Sequence, residues 1–206
     1  MSVSQIAIID YDAGNLRSVE KAFAYLGKKT LITRDRNEIL QADHVVLPGV
    51  GSFGDAMEKL NRYELIEVIK MSVQSGQPFL GICLGLQLLF ERSEESPNIE
   101  GLGILEGEVL RFPVMQGLKI PQIGWNSLAI REGAALFEGI PKEAYVYFVH
   151  SYYLSARNRK DVAATAGYGI EFDASVERGN LFACQFHPEK SGEIGLAILK
   201  NFAARK

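Results

Sequence analysis

Up to Glu91 the chain alternates between two apolar patterns. A continuous apolar run at Gln5–Ile9 predicts a strand covered on both faces, since a strand with one wet face alternates apolar with polar; Lys29–Thr33 and His44–Leu47 are the next expected strands, and Pro78–Ile82 a further buried one. The segments between them carry apolar residues every three or four positions. Leu16, Val19, Phe23 and Leu26 line one face of a helix from Leu16 to Leu26, with Asn15 as its N-cap and Gly27 as its stop. A short helix is expected over Asn37–Leu40, and further helical patterns run over Asp55–Asn61 and Leu65–Ser75, with Gly76 as the stop. After a sharp turn at Cys83 an apolar helix continues to Glu91. Strand and helix in this order predict an α/β fold on a mostly parallel central sheet with right-handed crossovers. Ligands in such folds lie at the carboxyl ends of the strands.

Beyond Glu91 the pattern changes. Arg92–Asn98 is polar and holds a proline, the composition of a surface loop. From Gly107 to Gln185 the chain reads as strands and turns, at Val109–Phe112, Asn126–Ile130, Tyr145–Tyr153, Val162–Ala166, Phe172–Glu177 and Leu181–Phe186. An amphipathic helix over Ser191–Arg205, capped by Ser191, closes the chain. No linker-like stretch divides the halves, so residues 1–206 are expected to form a single domain in which the later strands extend the parallel sheet antiparallel.

Composition narrows the function. Of 206 residues, 47% are hydrophobic and 23% charged, the balance of an ordinary globular protein, and the length suits one large α/β domain. A formal charge of −3 argues against nucleic acid as the main partner. No apolar run reaches membrane-spanning length, and the opening MSVSQIAIID lacks a basic region and cleavage site. The two cysteines, Cys83 and Cys184, form no C-x-x-C pair and no disulfide framework, so a reducing, cytoplasmic setting is expected.

The candidate chemistry centres on Gly81-Ile82-Cys83-Leu84-Gly85, where a strand breaks into a helix. This is the thiol form of a nucleophile elbow, whose glycines let two chain segments approach closely. A cysteine at a helix N-terminus is biased toward the thiolate, and the N–H of Leu84 is free to donate to an oxyanion. Read alone, Cys83 fits equally as a small buried hydrophobe. A thiolate nucleophile needs a base, and the base needs an orienting group. Of the three histidines, His44 opens a strand as an ordinary packing residue, and His150 in YFVHSYY is either a satisfied core residue or part of a pocket lining. His187 follows the strand LFACQF and precedes Pro188, which pushes it toward an extended conformation. Residues two apart then share a side, so Glu189 can reach the imidazole and set its tautomer. Cys83, His187 and Glu189 are therefore the expected catalytic set, with Cys184 in the core. Pro48-Gly49-Val50-Gly51 has the backbone-exposing composition of an oxyanion loop, with the N–H of Val50 or Gly51 as second donor, although a plain strand-to-helix turn explains it as well. Gln87, a polar residue one helical turn past Cys83, either points into the site or faces solvent.

LPGVGSFGDAM, GICLGLQLLFE and QFHPEKSGEIG together resemble the class I glutamine amidotransferases. IIDYDAGNLRSVEKA, PQIGWN and YFVHSYY are similar to one branch, the glutaminase subunits of imidazole glycerol phosphate synthases. The resemblance covers nearly the whole chain. It implies a three-layer, flavodoxin-like fold and release of ammonia from glutamine through a thioester on Cys83, with neither metal nor cofactor. It also implies that Gln87 and the Ser151-Tyr152 backbone hold the amino acid end of glutamine. Ammonia would pass to a (β/α)₈-barrel cyclase subunit faced by Asn15, Trp125 and Lys190. Relatives with a fused synthetase continue beyond this point, so the acceptor site is expected on a partner. Asp12 departs from the branch, standing where many relatives have glycine. Glutaminase subunits of other two-chain synthases, and a silent binding module on the same fold, are the competing readings. The Asp10–Asn15 turn and PQIGWN favour the first branch over the former, and the intact catalytic residue types argue against the latter.

Overall fold

The computed structural model describes residues 5–206, so the expectation about the extreme N-terminus falls partly outside the described residues. The first half folds as β1 (Gln5–Ile9), α1 (Leu16–Tyr25), β2 (Lys29–Thr33), α2 (Arg36–Gln41), β3 (His44–Gly49), α3 (Phe53–Arg62), α4 (Leu65–Gln74), β4 (Phe79–Cys83) and α5 (Leu84–Leu88). There follow β5 (Arg92–Ser93), β6 (Gly107–Arg111), β7 (Gln122–Ser127), β8 (Ala129–Ile130), β9 (Tyr145–His150), β10 (Tyr152–Ala156), β11 (Val162–Tyr168), β12 (Ile170–Arg178), β13 (Leu181–Cys184) and α6 (Gly192–Phe202).

The main sheet runs β2-β1-β3-β4-β13-β12-β10-β6-β5, with β11 joined to β12 and to β8. Its first five strands are parallel, and β12, β10 and β6 continue it antiparallel. Alternate residues of β1 explain the unbroken apolar run. Ile6 and Ile8 pack with Val19 and Phe23 of α1 and with Ile198, Leu199 and Phe202 of α6. Ala7 and Ile9 pack on the other face with Ile39 of α2, Leu60 of α3 and Val68 of α4. Each large apolar side chain buried this way contributes roughly 1.5–3 kcal/mol.

Several boundaries differ from the sequence reading for non-local reasons. The expected helix to Glu91 stops at Leu88, because the carbonyls of Leu88, Leu89, Phe90 and Glu91 accept from backbone N–H groups of residues 101–105. Arg92–Asn98 is not simply a surface loop: β5 pairs with β6, and Ser93 is buried. Tyr145–Tyr153 is two strands, broken at Ser151 where the chain leaves β7 for β6 and β12. Asn126–Ile130 is likewise split, since β7 pairs with β9 and β8 with β11. β7 and β9 thus form a separate antiparallel ribbon, so the antiparallel half is more than an extension of the main sheet. Asn15 and Ser191 do hold the N-cap positions of α1 and α6, but neither side chain caps its helix. Ser191 Oγ donates to the His187 carbonyl at 2.7 Å and accepts from Tyr147 N–H at 3.0 Å, while Asn15 turns its side chain elsewhere.

Candidate active site

Three parallel strands deliver the chemistry at their carboxyl ends. Gly49 ends β3 in register with Cys83, the last residue of β4, and His187 follows β13, which pairs with β4 on its other side. Cys83 has φ 55° and ψ −109°, the strained turn expected of an elbow. The flanking glycines are required by close approach. A Cβ on Gly81 would lie 2.8 Å from the Gly85 carbonyl oxygen, and one on Gly85 would collide with the Leu47 carbonyl. Leu84 opens α5, so its N–H has no partner within the helix.

His187 and Glu189 are together, with side chains 1% and 0% exposed. His187 Nδ1 lies 2.8 Å from Glu189 Oε1, and Asn15 Nδ2 donates to that same oxygen at 2.6 Å. Glu189 Oε2 and His187 Nε2 are buried without a hydrogen-bond partner among the described residues. Burial pulls the His187 pKa down, but attraction to Cys83 and Glu189 outweighs it and raises the value to about 9. At neutral pH the ring is thus an imidazolium beside the sulfur, with a proton to give.

Cys83 and His187 open into a cavity of about 300 Å³ that is also lined by Val50, Gly51, Leu84, Gln87, Ser151 and Tyr152. All the residues expected at the oxyanion hole and the glutamine end therefore meet at one place. A larger cleft of about 1080 Å³ lies around residues 129–142 and holds none of them. Two polar residues of the site were not anticipated. Glu95 lines the cavity and accepts from Phe53 N–H at 2.7 Å. Gln185, wholly buried, places Nε2 3.7 Å from Cys83 Sγ and accepts from Gln87 Nε2 at 3.0 Å. Its signal in the sequence was an amide inside the apolar run LFACQF. Gln87 is buried from solvent and points into the site, where it lines the cavity; it also donates to the Tyr152 carbonyl at 3.3 Å. Cys184 and His44 pack in the core, the latter with Nε2 3.1 Å from the Arg205 carbonyl oxygen.

The model of the glutamine amidotransferase class-I family matches residues 7–206. The chain belongs to the class-I glutamine amidotransferase family. Among similar proteins of this amidotransferase is the imidazole glycerol phosphate synthase subunit HisH of Caldanaerobacter subterraneus, 52% identical over 96% of each chain. The subunit of the same name from Thermosynechococcus vestitus is also 52% identical, over 99% of this chain and 98% of that one. Among solved structures, PurLQS from Thermotoga maritima superposes with a TM-score of 0.76 at 20% identity, covering 97% of both chains. A structure described as a glutamine amidotransferase gives 0.74 at 20% identity over 95% of this chain and 98% of that one. These two share the fold.

Beside the amidotransferase site, Asn15 and Trp125 each approach the turn that carries Lys190. Asn15 bonds Glu189, the neighbour of Lys190, and the Trp125 ring lies 4.0 Å from where a Cβ on Gly192 would sit. Trp125 is 57% exposed and Lys190 is exposed. Asp12 adopts φ 60°, a left-handed conformation that glycine takes without strain. Its carboxylate is held by Arg34 at 2.7 Å and by the Tyr63 hydroxyl. Among the described residues no cluster of three His, Cys, Asp or Glu forms a metal site, and no helix is long and apolar enough to cross a membrane.

Proposed function

We propose that this chain is the glutaminase subunit of an imidazole glycerol phosphate synthase and works by a Cys83–His187–Glu189 triad. The observation that carries the reading is the cavity in which the elbow cysteine meets a buried histidine braced by a buried glutamate. Near-full-length similarity to the HisH subunits supports the choice of pathway. The Cys83 thiolate attacks the carboxamide carbon of glutamine. The resulting oxyanion accepts from the N–H of Leu84 and from that of Val50 or Gly51. His187 gives its proton to the leaving nitrogen, ammonia departs, and a thioester remains. His187 then takes a proton from water, whose attack on the thioester releases glutamate and restores Cys83. Gln87 and the Ser151-Tyr152 backbone hold the amino acid end, and Glu95, the carboxylate lining the cavity, pairs with its ammonium.

Ammonia then passes, shielded from water, to a (β/α)₈-barrel cyclase that docks over Asn15, Trp125 and Lys190. There it meets a phosphoribulosyl-formimino nucleotide, giving imidazole glycerol phosphate and an aminoimidazole carboxamide ribonucleotide in the cytoplasm. The residues act as one domain and need no cofactor. The test is glutamate release by the chain alone and with the cyclase carrying its nucleotide ligand. A large rise in the complex is expected, together with loss of hydrolysis and of labelling by a glutamine-mimicking electrophile in Cys83→Ser. Hydrolysis that ignores the cyclase would leave the chemistry and remove the pathway. Hydrolysis that survives Cys83→Ser would remove the nucleophile.

A further inference from the structure

Ser151 is where the chain changes sheets, and the brace at that crossing is a pair of side chains with no part in the mechanism above. His150 and Gln122 are both buried, at 6% and 3% exposure. His150 Nδ1 lies 2.8 Å from the Tyr152 carbonyl oxygen, and Nε2 lies 3.0 Å from Gln122 Oε1. A carbonyl oxygen only accepts, so Nδ1 carries a proton. The ring sits among Phe112, Phe148 and Phe172, with centroids 5.2, 5.4 and 5.3 Å away. Burial, opposed by the Tyr152 carbonyl and aided by the charge of His187, lowers its pKa to about 4. A second N–H would charge the ring inside this apolar cage, so the proton on Nδ1 is its only one and Nε2 accepts; the Gln122 amide then sits half a turn from the orientation that faces Oε1 to the ring and donates its NH₂ instead.

The consequence lies at the glutamine pocket. The Tyr152 carbonyl takes donors from two sides, His150 Nδ1 and Gln87 Nε2. Gln87 is joined in turn to Gln185, and Gln185 to the Cys83 sulfur. We propose that Gln122 is a positioning residue for glutamine binding. By fixing His150 in its Nδ1–H tautomer it holds the Tyr152 carbonyl, and with it the Ser151-Tyr152 backbone that receives the amino acid end of the substrate. The inference rests on the reading of this cavity as the glutamine site. It assigns Gln122 to substrate binding and not to the chemical step.

Gln122→Met keeps the shape and deletes the donor; Gln122→Glu keeps the shape and presents only acceptors. In the complex with cyclase and its nucleotide ligand, the methionine variant should raise KM for glutamine about three- to tenfold, the effect of one lost neutral hydrogen bond, and leave kcat within about twofold. The glutamate variant should raise KM further, because it favours a proton on Nε2. Nitrogen NMR of wild-type His150 should show Nδ1 protonated and Nε2 bare. A bare Nδ1 or a charged ring in wild type overturns the proposal even if the variants do not fold. So does a folded Gln122→Met protein whose KM is unchanged, or one whose kcat falls while KM stays. Absence of hydrolysis by wild type would overturn the pocket reading and this inference with it, whereas an active wild type with indifferent variants overturns the inference alone.

Discussion

Replacing Glu189 by glutamine should reduce activity far less than removing the nucleophile, and Asn15 is the reason. Glu189 Oε1 accepts from two groups that each present an N–H to it, His187 Nδ1 at 2.8 Å and Asn15 Nδ2 at 2.6 Å. A glutamine at 189 must therefore place its carbonyl oxygen in that position and its NH₂ where the unpartnered Oε2 now lies. The reverse orientation sets NH₂ against two donors. The His187 tautomer survives and only the charge is lost. A charge-assisted hydrogen bond exceeds a neutral one by about 1–2 kcal/mol, which corresponds to roughly a 5- to 30-fold fall in kcat/KM. Asn15→Leu alone removes one bond to the carboxylate and should cost less than about tenfold. In the double variant nothing orients the amide, so NH₂ can donate to Nδ1 and move the ring proton to Nε2. A triad whose tautomer is reversed this way loses roughly 10⁴-fold. The assay is kcat/KM for glutamate release by wild type, both single variants and the double variant at saturating cyclase, treated as a double-mutant cycle. Additive losses, or a single Glu189→Gln loss as deep as that of Cys83→Ser, would refute the reasoning.

Two further outcomes follow from the same geometry. His187 is raised to about 9, so its proton is lost as pH climbs through that value, and kcat/KM should show a basic limb there. The stability the pair confers is complete below the ordinary histidine value near 6.5 and is lost between it and about 9. In Glu189→Gln the basic limb should move toward neutral pH, and a limb that stays put would separate it from His187. Gly85→Ala puts a methyl group into the Leu47 carbonyl, which no flexible side chain can relieve. Overpacking of this kind costs about 1–3 kcal/mol or more, so Tm should fall by roughly 2–12 °C with loss of hydrolysis. An unchanged melting curve would show that the elbow tolerates the extra carbon.

What the chain discloses before folding depends on how far away each residue's partner lies. The elbow is legible because its requirements are local: a strand, a positive φ at Cys83, and glycines on either side of it. His187 and Glu189 are legible because an extended backbone places residues two apart on one side. The parallel strands are legible because both faces of β1 enter cores, which leaves no polar alternation. Asn15 shows the limit. An asparagine before an apolar helical run has the composition of an N-cap, but its actual partner is Glu189, 174 residues later. Ser191 likewise holds the N-cap position of α6, but its hydroxyl ties β9 to the His187 turn. The break at Ser151 leaves no trace in periodicity, since YFVHSYYL is equally apolar on both sides and only the change of partner strand divides it. Gln87, Gln122 and Gln185 point to a more general signal. Each is an amide in a buried position, and each is satisfied by another element of the site. Unpaired burial of such a group costs about 1–3 kcal/mol, so an amide in an apolar segment implies a distant partner even when the sequence cannot name it. Here those partners trace one hydrogen-bonded line from the β7–β9 ribbon to the nucleophile.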